Sequence, residues 1–431
     1  MMTSWRLARV MVHPPSAAAM KRATPRIVSV TPMAVSCDSR TFKIAASIGR
    51  FGFESVVVEG EPGSPPSAVS DYFTLVSCSK PRQLLSWEQG SEPSRLGDSL
   101  FAGVLGLAAA IKGVLDLSIR TYRCMPRADL YYLHCYLQYP AVRLRCKKDG
   151  VSFVYDAHDF YSVLSDDGRE ITRATKFISM FHLALERMCV RKAAACVTVS
   201  DGVAALEEEK FGRTFVVLRN VHDSRFDDPG YPSMRDQLRL GDAFLMVVVG
   251  NAKPGGMAVE QSIRALSELD SDVHLLFLGR GYEPYLDLAR NLGVAGRVHA
   301  PGPVALEEVA GAIRGANVAP VLYWGVNSNL ERCMPNGFFH VVASGIPVLY
   351  SVNLPDVALL ASRYGLGLEF DPTDISSFVD SVKRFRGDPR QAADFQSAAL
   401  IAASEISWES EEEILGRVLE PLIAPEGRIG E

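Results

Sequence analysis

The chain has 431 residues, enough for two or three domains, and its 48% apolar and 22% charged shares are those of a folded globular protein. A net charge of −5 leaves no basic excess for nucleic acid. Eight scattered cysteines, with no C-x-x-C pair and no Cys/His cluster at zinc spacing, exclude a disulfide scaffold and a zinc module and read as reduced, mostly buried cytosolic thiols.

The first 37 residues lack Asp and Glu and carry Arg6, Arg9, Lys21, Arg22 and Arg26. Arg9, His13 and the Pro14-Pro15 pair interrupt any signal-peptide apolar core, so residues 1–25 are expected to form a disordered tail. From Arg26 the pattern alternates between strand and helix. Residues 26–31 form a β-branched run, a strand. Asp38 or Ser39 can cap a helix whose apolar positions Phe42, Ala45, Ala46 and Ile48 recur at helical spacing. Residues 53–58 give the next strand, and a βαβ opening predicts a parallel sheet. Residues 61–70 are loop by their Pro, Gly and Ser content. Residues 100–119 are rich in Leu, Ala, Gly and Val, but Lys112 and Asp116 interrupt them, which predicts a buried helix rather than a membrane span.

Residues 129–134 and 152–156 predict buried strands ending in His134 and Asp156, at the edge where ligands of open α/β sheets gather. The helix from about Thr172 to Lys192 sets Phe177, Phe181, Leu185 and Met188 on one face and Arg173, Lys176, Arg187 and Arg191 on the other. It is expected to pack on the sheet with a solvated basic face, although such a face also suits a membrane surface. A strand at 195–199, a helix capped at Ser200-Asp201-Gly202 and a strand at 215–218 complete this unit, 26–225. The polar stretch 223–241 marks a boundary. A second series, 240–390, predicts strands at 244–249, 273–278, 298–299, 317–321 and 347–351, a glycine-containing loop at 250–256 and a helix at 257–269. Two doubly wound parallel sheets facing across a cleft follow, with helices in 391–431 packing back.

The sharpest chemical signal is Met334-Pro335-Asn336-Gly337-Phe338-Phe339-His340, running on to Gly345-Ile346-Pro347. Asn336 is a good N-cap, Gly345 suits the position after the helix, and the free N–H groups and positive dipole end suit a diphosphate. Gly337 lets a ligand approach the backbone. An ordinary helix–glycine–strand connection has the same pattern. Tyr323, Trp324 and Asn327 to Asn329 precede this helix, and an aromatic there can stack on a base or only anchor the loop. No metal site is expected: Asp270-Ser271-Asp272 precedes a strand, which puts it at the wrong edge of the sheet, and Asp166-Asp167 and Asp227-Asp228 read as turns.

Further segments keep a fixed order: Asp38-Ser39-Arg40, Tyr155-Asp156-Ala157-His158-Asp159, Glu186-Arg187, Val199-Ser200-Asp201-Gly202, Arg219-Asn220, Gly250-Asn251, Gly279-Arg280-Gly281, Pro301-Gly302, Gly365-Leu366-Gly367, Asp371-Pro372 and Ser407-Trp408-Glu409. Together with the Pro335-Asn336 helix, this order from Arg26 to Leu422 resembles the retaining GT-B glycosyltransferases of the large family that includes bacterial polysaccharide and lipid-glycan transferases. The resemblance implies two Rossmann-like domains, a C-terminal helix returning to the first, and metal-independent sugar transfer from a nucleotide diphosphate sugar to a saccharide, lipid-linked or small-molecule hydroxyl. The donor is a substrate, and no cofactor is implied. The donor-side residues are Gly250, Lys253, Gly255, Arg280, Asn336, Gly337, Phe338 and His340, with His340 at the ribose.

His158, Asp159 and His134 stand on the acceptor side, where His158 and Asp159 would orient a hydroxyl or shield positive charge at the sugar. Asp38 and Arg40 either touch the acceptor or pair and cap the first helix. The chain departs from the family at Gly337 and His340, where Lys and Glu are usual, and at Gly255-Gly256-Met257, where a cation is usual. Lys253, Arg280 and Arg332 are the nearest replacements by sequence. Two other readings stay open: a binding-only relative of the transferases, and a sugar-nucleotide epimerase, which needs a carboxylate pair in the cleft. A cytoplasmic location is expected, with peripheral contact at the inner face of a membrane left open.

Overall fold

The computed structural model describes residues 24–61, 71–78, 100–161 and 173–423. The basic tail up to residue 23, the loop at 62–70, the Asp166-Asp167 turn and the chain beyond 423 lie outside the described residues.

Seven parallel strands build the first sheet: β1 (Arg26–Thr31), β2 (Glu54–Glu59), β3 (Thr74–Ser77), β4 (Leu130–Leu133), β5 (Phe153–Ala157), β6 (Ala195–Thr198) and β7 (Val216–Val217). Their spatial order is 3-2-1-4-5-6-7. Strands covered by helices on both faces need no polar alternation. The four residues of β4, Leu-Tyr-Tyr-Leu, are accordingly all buried. The second half repeats the scheme with β8 (Phe244–Val249), β9 (Val273–Leu278), β10 (Val298–His299), β11 (Ala319–Val321), β12 (Val348–Ser351) and β13 (Gly367–Phe370). Three strands run 10-9-8 and three run 11-12-13. The bridge between Met246 and Val318 and the bond from Val247 N–H to the Val318 carbonyl join them into one sheet. Strand order reverses between β1 and β4 in one lobe and between β8 and β11 in the other. Ligands of such sheets sit beyond the strands' carboxyl ends at those points.

Local signals set the helix ends. Asp38 caps the Ser39–Arg50 helix by accepting from Thr41 N–H at 3.1 Å, and Ser200 caps the Asp201–Phe211 helix through Val203 N–H at 3.1 Å. Gly365, at φ 66°, ends the Pro355–Tyr364 helix in the left-handed region that glycine tolerates. The closing helix Trp408–Ile423 returns to the first lobe: Trp408 Nε1 donates to Ser47 Oγ at 2.8 Å, and Glu411 accepts from Arg219 N–H at 2.8 Å.

Four expectations are corrected. The 100–119 segment is helical, within Leu100–Cys124, but only one face is buried, through Val114 and Leu117, while Val104, Leu115 and Ile119 are each about half exposed. Met188, assigned to the packed face of its helix, is 51% exposed, because the layer beneath ends at Leu185, Cys189 and Val190. The helix expected over 257–269 is regular only across Val259–Ala265, followed by a 3₁₀ turn. Asn336 is the first helical residue rather than the cap; Pro335 holds the extended cap position, and the Asn336 amide turns toward the other lobe. Among the described residues no helix is long and apolar enough to cross a membrane.

Candidate functional site

At the carboxyl edge of the first sheet, where strand order reverses, four charged or titratable groups are brought together under cover. Arg40 comes from the first turn of its helix. Its Nε and Nη2 donate to the two oxygens of Asp156, at 2.9 and 2.7 Å, and Nη1 donates to the Leu218 carbonyl at 2.5 Å. Both partners are almost fully buried. A buried bidentate pair of this kind fixes both side chains in direction as well as in charge. Asp156 in turn faces two histidines. Its Oδ2 lies 3.5 Å from His134 Nδ1 and 3.6 Å from His158 Nε2, and those two nitrogens are 3.1 Å apart, so one proton bridges the rings.

The electrostatics decide where that proton resides. Burial opposes the charged form of Asp156, but Arg40 and the two histidines outweigh it and hold the carboxyl well below its usual range. Burial likewise opposes Asp38, and the nearby histidines and the Thr41 hydrogen bonds overcome it. Burial dominates at His134 and lowers its pKa. At His158 burial is outweighed by Asp38 and Asp156, and the pKa rises. The proton therefore belongs to His158. His134, whose Nε2 is buried without a partner, serves as its neutral neighbour. The raised pKa favours the protonated form of His158, which donates hydrogen bonds and suits the orienting role expected for it. The recess in front of this cluster is lined by Thr31, Met33, Asp38, His134, Tyr136 and His158, among others.

His134, Asp156 and His158 bring ligand atoms within 4.8 Å of one another, a spacing that suits a metal ion. The donor set argues against one. Arg40 already occupies both Asp156 oxygens, and a divalent ion there would sit beside a guanidinium.

Of the residues expected on the donor side, Gly250, Lys253, Gly255 and Arg280 lie in the loops after β8 and β9, at the second point of strand reversal. Gly250 follows β8 at φ 121°, and its carbonyl accepts from Tyr282 Oη at 2.9 Å. Arg280 N–H donates to Asn251 Oδ1 at 3.0 Å, which pins the loops after β8 and β9 together. Gly255, at φ 74°, accepts from Trp324 Nε1 at 2.7 Å, so this loop aromatic serves as an anchor. Lys253 and Arg280 are exposed at this edge. Arg332 is turned to the first lobe instead: its carbonyl accepts from Ser200 Oγ at 2.8 Å, and its side chain lies against Gly202.

Gly337 has a different reason from the one its sequence suggests. A Cβ there would stand 2.1 Å from the Val249 carbonyl oxygen, so the close neighbour is the chain's own strand end rather than a ligand. The missing lysine is a packing requirement of this backbone. Gly337→Ala is expected to cost about 1–3 kcal/mol through forced backbone movement, read as a lower denaturant midpoint; an unchanged midpoint would remove that explanation. Phe338 is buried beneath the helix start and packs in the core rather than reaching the cleft.

His340 is also withdrawn. It is buried, with Nδ1 2.9 Å from His222 Nδ1, and His222 Nε2 lies 3.0 Å from Asp227 Oδ2. Burial first, then His222 and Lys43, push its pKa well below the usual imidazole value, so it is neutral. The two rings line a narrow seam recess with Ser39, Lys43, Asn220 and Asp227. Burial lowers Lys43 to about 7, partly offset by Asp223. Asn220 Nδ2 donates to Asn336 Oδ1 at 2.9 Å and to Ser39 Oγ at 3.3 Å, tying the helix start to the opposite lobe. Lys43 and His222 were not found from sequence, because their partners Val221 and His340 lie 178 and 118 residues away, and Asp227 was read only as part of a turn although its partner His222 is five residues away. Asp159 forms a second tie. Its Oδ1 accepts from Asn329 Nδ2 at 3.1 Å, while Phe160 N–H donates to Asn329 Oδ1 at 2.8 Å.

No family model matches the chain, and no curated protein matches it. Solved structures do. Sucrose-phosphate synthase from Thermosynechococcus elongatus aligns with a TM-score of 0.67 at 15% identity, over 92% of this chain and 99% of that one. Anabaena Alr3699/HepE in complex with UDP and glucose aligns at 0.64 and 15% identity, over 92% and 100%. WaaG, a glycosyltransferase involved in lipopolysaccharide biosynthesis, aligns at 0.62 and 14% identity, over 91% and 99%. At such identities the likeness shows the fold alone: two Rossmann-like lobes of parallel sheet facing across a seam, with the last helix returned to the first, are the GT-B fold.

Proposed function

We propose that the chain transfers a glycosyl unit from a nucleotide diphosphate sugar to a hydroxyl acceptor, with retention and without a metal. The carrying observation is the opposition of two points of strand reversal across one seam. His158, its pKa raised by Asp38 and Asp156, stands over Asp156 on one side, and exposed Lys253 and Arg280 stand with the Asn336 helix start on the other. The HepE complex with UDP and glucose supports a nucleotide-sugar donor for this fold. Helix-terminal N–H groups and the two cations would balance the diphosphate, each cation worth roughly 1 kcal/mol at ~4 Å in water and more in a closed cleft. His158 would donate to a sugar or acceptor hydroxyl, held in direction by Asp156, while Arg40 positions Asp156 without touching substrate. Closure of the seam would exclude water and align the reactants. An epimerase fits less well: of the carboxylates at the first-lobe recess, Asp38 caps a helix and Asp156 is paired with Arg40.

Thermal melting with nucleotide diphosphates tests the proposal. At about one hundred times Kd a ligand adds about 2.7 kcal/mol, which raises Tm by several degrees. No rise with any common nucleotide diphosphate at millimolar concentration would sink it.

A further inference from the structure

In a chain of net charge −5, the helices Leu100–Cys124, Tyr139–Asp149 and Arg173–Lys192 carry twelve Lys and Arg against three Asp and Glu. They lie on one side of the first sheet. The connections from β3 to β4, β4 to β5 and β5 to β6 all step in the same direction, and right-handed crossovers put their helices on the same face. The long first helix packs against both others. Of the sixteen large apolar side chains exposed among the described residues, eight are on these three helices. Val104, Ile111, Leu115 and Ile119, spaced seven, four and four apart, form a single stripe, exposed by 54%, 37%, 51% and 49%. On the third helix Lys176, Met180, Arg187 and Arg191 share the outward face, and Leu144 stands beside Lys147 and Lys148 on the second.

We infer that this face docks the protein on an anionic lipid bilayer. Aliphatic residues set among cations are the pattern of an interfacial surface, where the apolar groups enter the acyl boundary and the cations meet acidic headgroups. The other occupants fit worse. A second copy would bring basic against basic, and the basic tail of the chain would do the same. Single-stranded nucleic acid is held by stacking on aromatic side chains, and none of the eight exposed residues is aromatic. The face also reaches the recess at the sheet's carboxyl edge. Helices 100–124 and 173–192 run back against the strands, so their first turns lie at that edge. Tyr136, which lines the recess, meets His182 of the third helix at 3.1 Å. A docked bilayer therefore lies beside the acceptor side, and an acceptor drawn from the membrane surface is the consequence. That last step rests on the glycosyl-transfer reading; the docking itself does not.

Flotation of the full chain with vesicles tests it, using phosphatidylcholine alone and with about 30% phosphatidylglycerol. Partition is expected to be about tenfold or more greater on the anionic vesicles and to fall as salt rises. The charge-reversed variant K147E/K148E/R187E/R191E is expected to lose that preference by about a hundredfold or more, since each cation near the surface counts for ~1 kcal/mol. L115S/I119S is expected to weaken partition several-fold even at high salt, because it removes apolar insertion rather than charge. Equal partition of the unaltered chain on both vesicle types, full partition by the charge-reversed variant, or binding of RNA in place of vesicles would overturn the inference. Nucleotide-dependent stabilisation, measured on the same samples, reports separately on the donor site and on folding of the variants.

Discussion

Arg40→Met is expected to lower stability by about 3–5 kcal/mol, although the new side chain is apolar and of similar length. The reason is the partner left behind. Asp156 is fully buried, and without the guanidinium it loses both of its charged hydrogen bonds and keeps only the more distant His134 and His158 to offset its charge. The variant is relieved by protonation, either of Asp156 itself or more fully of His158 beside it. Its deficit should therefore shrink as pH falls, opposite to the ordinary acid destabilisation of a paired carboxylate. The double variant R40M/D156N should recover much of the loss, since it removes the charge along with its partner. Urea denaturation at pH 5 and pH 8 measures both effects. A loss below about 1 kcal/mol for R40M would mean that the pair is not sealed from water as described.

Turnover should fall by about 10²–10⁴-fold when His158 is replaced by Ala, with nucleotide-dependent stabilisation retained. The donor-side groups lie on the other lobe and do not touch this ring, so the change should appear in kcat. Its pH dependence carries a sign. The fold holds His158 above the usual imidazole pKa, so its proton stabilises the native chain fully below about pH 6.5, and that contribution is lost as pH rises through the raised folded value. His134 acts in the opposite sense, since its lowered pKa makes the fold pay for protonation as pH falls below the ordinary value. Activity that depends on the His158 proton should decline on the alkaline side, with a midpoint above 6.5. A profile still rising through that region, or H158A with full turnover, would show that the bridged proton has no part in transfer.

These two experiments meet at one cluster from two directions. Arg40 is a positioning residue, and its loss should move the His158 midpoint as well as stability. Its positive charge opposes protonation of His158, so the midpoint should rise in R40M, and an unmoved midpoint would show that the two groups do not act on one another.

Much of the fold could be read directly from the residues. Strands buried on both faces announce themselves as short runs such as Val-Tyr-Asp-Ala and Leu-Met-Val-Val-Val, and Asp38, Ser200 and Gly365 end helices through bonds and backbone angles made within a few residues. His134, Asp156 and His158 were legible as strand-end groups because the carboxyl edge of a parallel sheet is a property of order along the chain. What they do there was not. The Arg40–Asp156 pair spans 116 residues and the His222–His340 pair 118, and no local pattern reports a partner at that distance. Gly337 was read as room for a ligand because sequence registers only the missing side chain, whereas the Val249 carbonyl that fills the room belongs to another element. The 100–124 helix shows the same division. Its composition determined that it is an apolar helix too charged to span a bilayer, but a helix that is apolar almost all round does not reveal which side is covered. Only packing against its neighbours decided that the stripe from Val104 to Ile119 is left open, because burial is settled by what lies opposite a residue and not by the residue itself.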